Sequence, residues 1–152
     1  MRTDEFHCTA RPRCTPAAAM ALLSDLTRQG ELHPLIIAVT PEPPRPGAIR
    51  SYTIKDAMRW GPLVRFTIVY RADIVAESAT ELETVARQSP RVTVRNLTTV
   101  TPEDDHTRID CHVTLTAPTP LFRYAFTQAR RAHTELAARI EQRLGPGGHR
   151  AE

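Results

Sequence analysis

The stretch PLFRYAFTQARRAHTELAARIEQRL, residues 120–144, decides the fold. Its apolar residues Phe122, Ala125, Phe126, Ala129, Ala132, Leu136, Ile140 and Leu144 recur mostly in steps of three and four. That is the helical period, and it draws one apolar stripe along a single long helix. Thr119 suits the N-cap, Pro120 the first helical position, and Gly145-Pro146-Gly147-Gly148 the end of the run. At ~1.5 Å rise per residue the helix is a rod of roughly 37 Å, the width of a small domain. Arg123, Arg130, Thr134, Glu135, Arg139 and Glu141 lie mostly off the stripe, whereas His133 lies on it.

Upstream of this helix, nearly everything reads as strand. Residues 5–13 alternate loosely, with Phe6, Cys8 and Ala10 on one side. Cys14-Thr15-Pro16 then starts a short helix through Ala17–Leu23, and Ser24-Asp25 caps a second short helix that Gly30 and Pro34 bracket. Six strands follow, at about 35–39, 49–58, 63–76, 80–88, 92–100 and 106–117. Turn signals separate them at Pro41–Gly47, Arg59-Trp60-Gly61-Pro62, Glu77-Ser78-Ala79, Ser89-Pro90 and 101–105. Most of these connections are too short for crossovers, so the strands form an antiparallel meander. Each strand has one apolar face, and burying those faces together with the helix stripe requires the sheet to curl around the helix. The expected class is α+β, in the order β-α-α-β6-α, with about seven strands. One domain spans 1–145, and 146–152 forms a flexible tail.

Composition excludes several classes. Hydrophobic residues make up 41% and charged residues 24% of the chain, ordinary for a soluble protein. No apolar run approaches the ~18 residues of a membrane span. The first residues enter a strand pattern with no signal peptide, so the expected location is cytoplasmic. Nineteen arginines and the single Lys55 are scattered among acids, which argues against a nucleic-acid footprint. Arginine, alanine and proline enrichment points to a GC-rich bacterial source. Cys8, Cys14 and Cys111 have no C-x-x-C spacing and read as buried or idle thiols. No P-loop, G-x-G-x-x-G, H-E-x-x-H or Ser-His-Asp order is present, and neither a metal nor a cofactor is expected.

This element order resembles the helix-grip fold of the START/Bet v 1-like (SRPBCC) superfamily, particularly its polyketide cyclase/dehydrase and lipid-transport branch. The echoes are Ala17–Leu23 after the first strand, His33-Pro34 before the second, and Asp105-His106-Thr107-Arg108-Ile109 opening the last. Arg131-Ala132-His133, followed by Leu136 and Ile140, completes them. The resemblance implies a deep cavity between sheet and helix that holds a hydrophobic small molecule, in binders and enzymes alike.

Strand parity then nominates the site. Tyr52, Ile54, Asp56 and Met58 share one face of their strand, and Phe66, Ile68 and Tyr70 share one face of the next. They form either a cavity wall or ordinary packing. Asp56 is either a partly buried carboxylate with a raised pKa, fit for acid or base work, or a solvated partner of Arg59. His133 is either an imidazole that moves protons in the cavity or a core histidine bonded to one polar neighbour. Asn96, inward by parity, polarises a ligand carbonyl or bonds internally. Alternate turns of a meander lie at one end, so the mouth is expected at Ser89-Pro90, Pro118–Pro120 and Arg59–Pro62, joined by the junction Gly30–Pro34 and flanked by Trp60 and Phe122. Phe122, Phe126 and Ala129 should face the wall.

Two small-molecule functions remain open, beside a protein-interaction module that uses the outer sheet or the basic helix face. One is sequestration or transport of a lipid or polyketide-like metabolite. The other is a cofactor-independent cyclase/dehydrase in which His133, Asp56 or Tyr70 moves protons and cavity shape does most of the work. A homodimer through sheet edges is compatible with either.

Overall fold

The first strand, β1 (Arg2–Ala10), pairs residue for residue with the last. In this computed structural model residues 1–33, 35–60 and 62–145 are described, Arg59 and Trp60 through their backbone. The remaining elements are α1 (Pro16–Ser24), a 3-10 turn (Leu26–Glu31), β2 (Ile36–Glu42), β3 (Arg50–Trp60), β4 (Val64–Glu77), β5 (Glu81–Gln88), β6 (Val92–Glu103), β7 (His106–Ala117) and α2 (Thr119–Leu144). All seven strands join one antiparallel sheet in the order β1-β7-β6-β5-β4-β3-β2. The sheet curves around α2 in an α+β helix-grip arrangement, as the alternating strands and the long apolar stripe require.

Several boundaries differ from the sequence reading, each for a local reason. β1 starts at Arg2 and stops at Ala10, because its register with β7 runs from Arg2↔Ala117 to Ala10↔Ile109 and Pro12 then breaks the pattern. The second short helix is a six-residue 3-10 turn. Asp25 Oδ1 accepts the Thr27 N–H at 3.1 Å, and the segment is too short to propagate an α-helix. β2 continues through Pro41, which a sheet-edge strand accepts because a missing N–H there need not cost a ladder bond. α2 begins one residue early, with Pro118 at the N-cap position and no side-chain cap. At its other end, a side chain on residue 145 would place Cβ 1.9 Å from the Glu141 carbonyl oxygen, so glycine is required there. The expected tail, 146–152, lies outside the described residues.

The main core cluster draws on β1, on β3 to β7 and on α1, with a smaller cluster around Leu115, Ala117 and Phe122. Phe6 packs edge-on against Phe126, with ring centroids 5.5 Å apart, and Phe126 stacks on Phe122 at 5.4 Å. Phe122 is buried against Leu115 and Ala117, and the Arg2 guanidinium covers its ring at 4.5 Å. At the far end of α2, the Arg11 N–H donates to Glu141 Oε2 at 2.8 Å, and Arg143 pairs with Glu31 at 2.7 Å. The helix is thus pinned to β1 and to the 3-10 turn. The α1 side chains Ala19, Met20, Leu22 and Leu23 close the core from the other flank. On the outer surface, Asp73 is buried between Arg45 at 2.6 Å and Arg87 at 3.4 Å, and Arg45 also donates to the Tyr52 carbonyl. This ties the proline-rich loop to β3 and β4.

Thr107 stitches the start of β7 to the β1–α1 connection. It is fully buried, its hydroxyl donates to the Cys14 carbonyl at 2.6 Å, and its N–H donates to the Pro12 carbonyl at 3.0 Å. Thr107→Val keeps the shape and orphans the Cys14 carbonyl. The expected outcome is a loss of about 1–3 kcal/mol in urea unfolding with an unchanged denaturant slope.

Candidate functional site

Because α2 leans on β1 and β7, it stands off the middle strands. Between them lies a cavity of about 530 Å³, within the range of small-molecule pockets. Strand alternation supplies one wall: Ile54, Asp56 and Met58 from β3, Phe66, Ile68, Tyr70 and Ala72 from β4, and Leu82, Thr84, Ala86 and Gln88 from β5. Asn96 and Thr98 of β6 and Cys111 and Leu115 of β7 continue it. Ala125, Gln128, Ala129, Ala132, His133, Leu136 and Ile140 of α2 form the opposite wall. Leu23, Leu26, Gln29, His33 and Leu35 close the remaining flank. The exposed lining residues Ser89, Pro90, Leu121 and Tyr124 gather where the β5–β6 turn meets the start of α2, which makes that end the mouth.

Of the nominated residues, Ile54, Asp56, Phe66, Ile68, Tyr70, Asn96, Ala129 and His133 therefore meet around one space. Three others do not reach it. Tyr52 is only 5% exposed and sits in the core with Leu22, Leu23 and Ile74. It has the right parity, but it lies four residues before Asp56 on β3, opposite Ala72. Phe122 and Phe126 point toward β1 and β7 and are spent in the aromatic packing described above, so the expected facing of these rings against β3 and β4 is corrected. Leu121 and Tyr124 take the rim position expected of Phe122. The Trp60 side chain lies outside the described residues, as does Gly61 of the same expected turn.

Three polar stations interrupt the apolar wall. At the first, Asp56 and Tyr70 interact on adjacent strands, with Asp56 Oδ1 buried and without a partner among the described residues. Burial pushes the Asp56 carboxyl up to about 6, and the Tyr70 hydroxyl only partly restrains it. Burial, with Asp56 beside it, raises Tyr70 further above its ordinary range. The expected ion pair with Arg59 cannot be placed, since that side chain is outside the described residues.

The second station is a histidine pair, of which the sequence nominated only one member. His133 Nδ1 lies 2.9 Å from the Ala129 carbonyl, one turn back on α2. A carbonyl only accepts, so Nδ1 carries the proton and Nε2 is the basic nitrogen. His33 has the opposite arrangement: its Nδ1 accepts the Leu35 N–H at 3.3 Å, which places the proton of the neutral ring on Nε2. Burial lowers both pKa values, the nearby His133 lowers His33 further, and the Ala129 carbonyl partly offsets the shift of His133. The cavity thus holds one imidazole acceptor and one imidazole donor. His33 belongs to the Gly30–Pro34 junction expected at the mouth, but in a loop no periodicity reports which way its ring faces.

The third station is Asn96, Thr98 and Cys111. The Thr98 hydroxyl lies 3.4 Å from Asn96 Oδ1 and 3.7 Å from Cys111 Sγ. Asn96 therefore has an internal bond and also faces the cavity. Gln29, Gln88 and Gln128 add neutral amides elsewhere on the wall.

No protein-family model matches the sequence, and no curated protein matches it. Solved structures do share the fold. A START superfamily protein from Mycobacterium smegmatis superposes with a TM-score of 0.70 at 11% identity, over 92% of this chain and 96% of its own. The di-domain ARO/CYC StfQ from the steffimycin biosynthetic pathway gives a TM-score of 0.74 at 13% identity, covering 98% of this chain and 52% of StfQ. Ara h 8.0201 gives 0.65 at 14% identity, over 91% and 98%. The arrangement is thus the helix-grip fold that these solved structures share. No helix among the described residues is long and apolar enough to cross a membrane.

Asp56 makes the site's electrostatics measurable. Its folded pKa lies above that of the unfolded chain, so between about pH 4 and 6 the folded protein keeps a proton that the unfolded chain releases. Stability from this group falls as pH rises through that window. Two pKa units correspond to ~3 kcal/mol at full coupling, reduced to about 1–2 kcal/mol for a half-buried carboxyl that solvent screens. Asp56→Asn should therefore stabilise the protein by about that amount at pH 7 and leave it nearly unchanged at pH 4, as read by urea unfolding at the two pH values.

Proposed function

We propose that the protein binds an uncharged, largely apolar small molecule, of the lipid or polyketide-like kind, in the cavity between its sheet and α2. The observation that carries this reading is the cavity itself: about 530 Å³ walled by aliphatic and aromatic side chains, with a few polar atoms at fixed places. An ordinary core would close such a space, because unfilled apolar volume costs stability. The fold neighbours support the same reading through their printed descriptions, a START protein and aromatase/cyclases among them.

The test combines occupancy with obstruction. Native mass spectrometry of the purified protein should show a co-purifying apolar molecule, or uptake of added long-chain acyl or polycyclic aromatic compounds. Ala129→Phe places a ring inside the cavity from mid-helix. It should abolish uptake while circular dichroism and melting behaviour stay close to wild type. Undiminished uptake by this variant would place the ligand elsewhere.

A second reading, an enzyme of the cyclase/dehydrase kind, is favoured by an Asp56 oxygen without a partner among the described residues and by His133, held toward its neutral form, in the same cavity. In this reading His133 Nε2 takes a proton from carbon beside a ligand carbonyl, and protonated Asp56 or the Tyr70 hydroxyl donates to the developing oxyanion. Asp56→Asn and His133→Ala should each lower turnover of a poly-carbonyl substrate by roughly 10²-fold or more. The wild-type rate should fall above about pH 6 as Asp56 loses its proton. Unchanged turnover in both variants would leave binding as the function.

A further inference from the structure

We propose that the mouth end of the molecule docks on an anionic lipid surface, with the tip of the β3–β4 hairpin entering the bilayer and the surrounding arginines meeting lipid phosphates. The surface stands on charge and exposure alone. Its use, passing an apolar molecule between bilayer and cavity without a step through water, rests on the ligand-binding reading above.

Along the chain the arginines are scattered, but in the fold the acids are segregated. Three chain reversals lie at the mouth end: β3 to β4, β5 to β6 and β7 to α2. The stretches that contain them, 57–72, 84–102 and 111–134, hold three arginines each and no aspartate or glutamate. The reversals at the opposite end are acidic: residues 73–83 hold four carboxylates, and 103–110 hold another four. By register, the acids nearest the mouth are Asp56, which faces the cavity, and Asp4, two places in from the end of the β1–β7 ladder. Arg87 and Arg95 pair with Asp73 and Glu83. Arg65, Arg91 and Arg123 are exposed and make no ion pair among the described residues. The mouth end therefore presents a net positive surface, which attracts polyanions.

The same end projects apolar side chains. β4 pairs with β3 from Val64 but with β5 only from Arg71, so the hairpin overhangs the paired end of β5 by roughly 20 Å. Phe66 and Ile68 on the inner face of this overhang line the cavity, so the hairpin forms one side of the mouth. Leu63 at its tip is 92% exposed, and Val64 beside it is 52% exposed. On the opposite wall, Leu121 and Tyr124 of α2 are exposed as well. The combination selects the partner. An acidic protein would use the arginines and has no need of a projecting aliphatic tip. An anionic bilayer takes both, since its phosphates attract the guanidinium groups and its hydrocarbon receives Leu63 and Val64. One such signal anchors weakly, and the two together anchor well.

The test is flotation of the full chain with two kinds of vesicle, one of phosphatidylcholine alone and one with about a third phosphatidylglycerol. Nile red binding to the protein in solution is measured in parallel. The anionic vesicles are expected to bind about tenfold or more tightly than the neutral ones, and the difference should shrink in high salt. Leu63→Asp should weaken binding to the anionic vesicles about tenfold, and so should the double variant Arg65→Glu, Arg91→Glu. Arg13→Glu, an exposed arginine beyond the other end of β1, should bind like wild type. If the protein floats with neither vesicle while Nile red binds, the docking surface is overturned and the cavity reading stands. If the double variant abolishes binding and Leu63→Asp leaves it untouched, the end is a general polyanion surface, as an acidic protein or a nucleic acid would use, and the membrane assignment is overturned. Nile red binding that Ala129→Phe leaves unchanged strikes the cavity reading instead, and flotation still decides the surface. The wild-type comparison of the two vesicles stands even where a variant fails to fold.

Discussion

The structure depends on one seam of aromatic packing. Phe6 of β1 meets the edge of Phe126, Phe126 stacks on Phe122, and Phe122 is sealed by Leu115, Ala117 and the Arg2 guanidinium. Aromatic side chains bury the largest areas per residue and fix geometry as well as energy. Here they fasten the N-terminal half of α2 to one edge of the sheet. With the Arg11–Glu141 and Glu31–Arg143 contacts holding the other half, the helix cannot settle onto β3, β4 and β5. The sheet's curvature then leaves a space that no available side chain fills. The cavity is therefore a consequence of where the large residues went: Phe6, Phe122 and Phe126 are concentrated at the β1 edge, while the helix offers Ala125, Ala129 and Ala132 to the middle strands.

The same distribution explains what the sequence could and could not tell. Period and alternation gave the element order, the antiparallel sheet and the inward face of β3, β4 and β5, because those patterns are local consequences of backbone geometry. Facing was legible; depth along a strand was not. Tyr52 and Asp56 have equal parity, yet one is in the packed core and the other on the cavity wall, and only the tilt and curvature of the sheet separate them. The stripe on α2 likewise carried no information about which part of it meets β1 and which part meets the void. Phe122 and Phe126 were misplaced for that reason, since a 3.6-residue period defines a face wide enough to serve both. The junction that holds His33 was legible as part of the mouth, but the facing of its ring was not, because a loop has no period. Cys111 was visible as an inward residue, and what could not be read was its company: Cys8, Thr98 and Asn96 come together only through the β1-β7-β6 registers.

The electrostatics of the cavity follow from this company. A space walled by apolar side chains disfavours charge, and most titratable groups on it respond in the direction of neutrality. Asp56 and Tyr70 are pushed up, and His33 and His133 are pushed down. Each retains hydrogen-bonding capacity in its neutral form: an acid O–H and a phenol on β3 and β4, an imidazole acceptor on α2, and an imidazole donor beside β2. Such a set recognises oxygen and nitrogen functions on an uncharged molecule and discriminates against ions, whose desolvation it would not repay. Asp56, raised to about 6, is a member whose charge changes within reach of neutral pH.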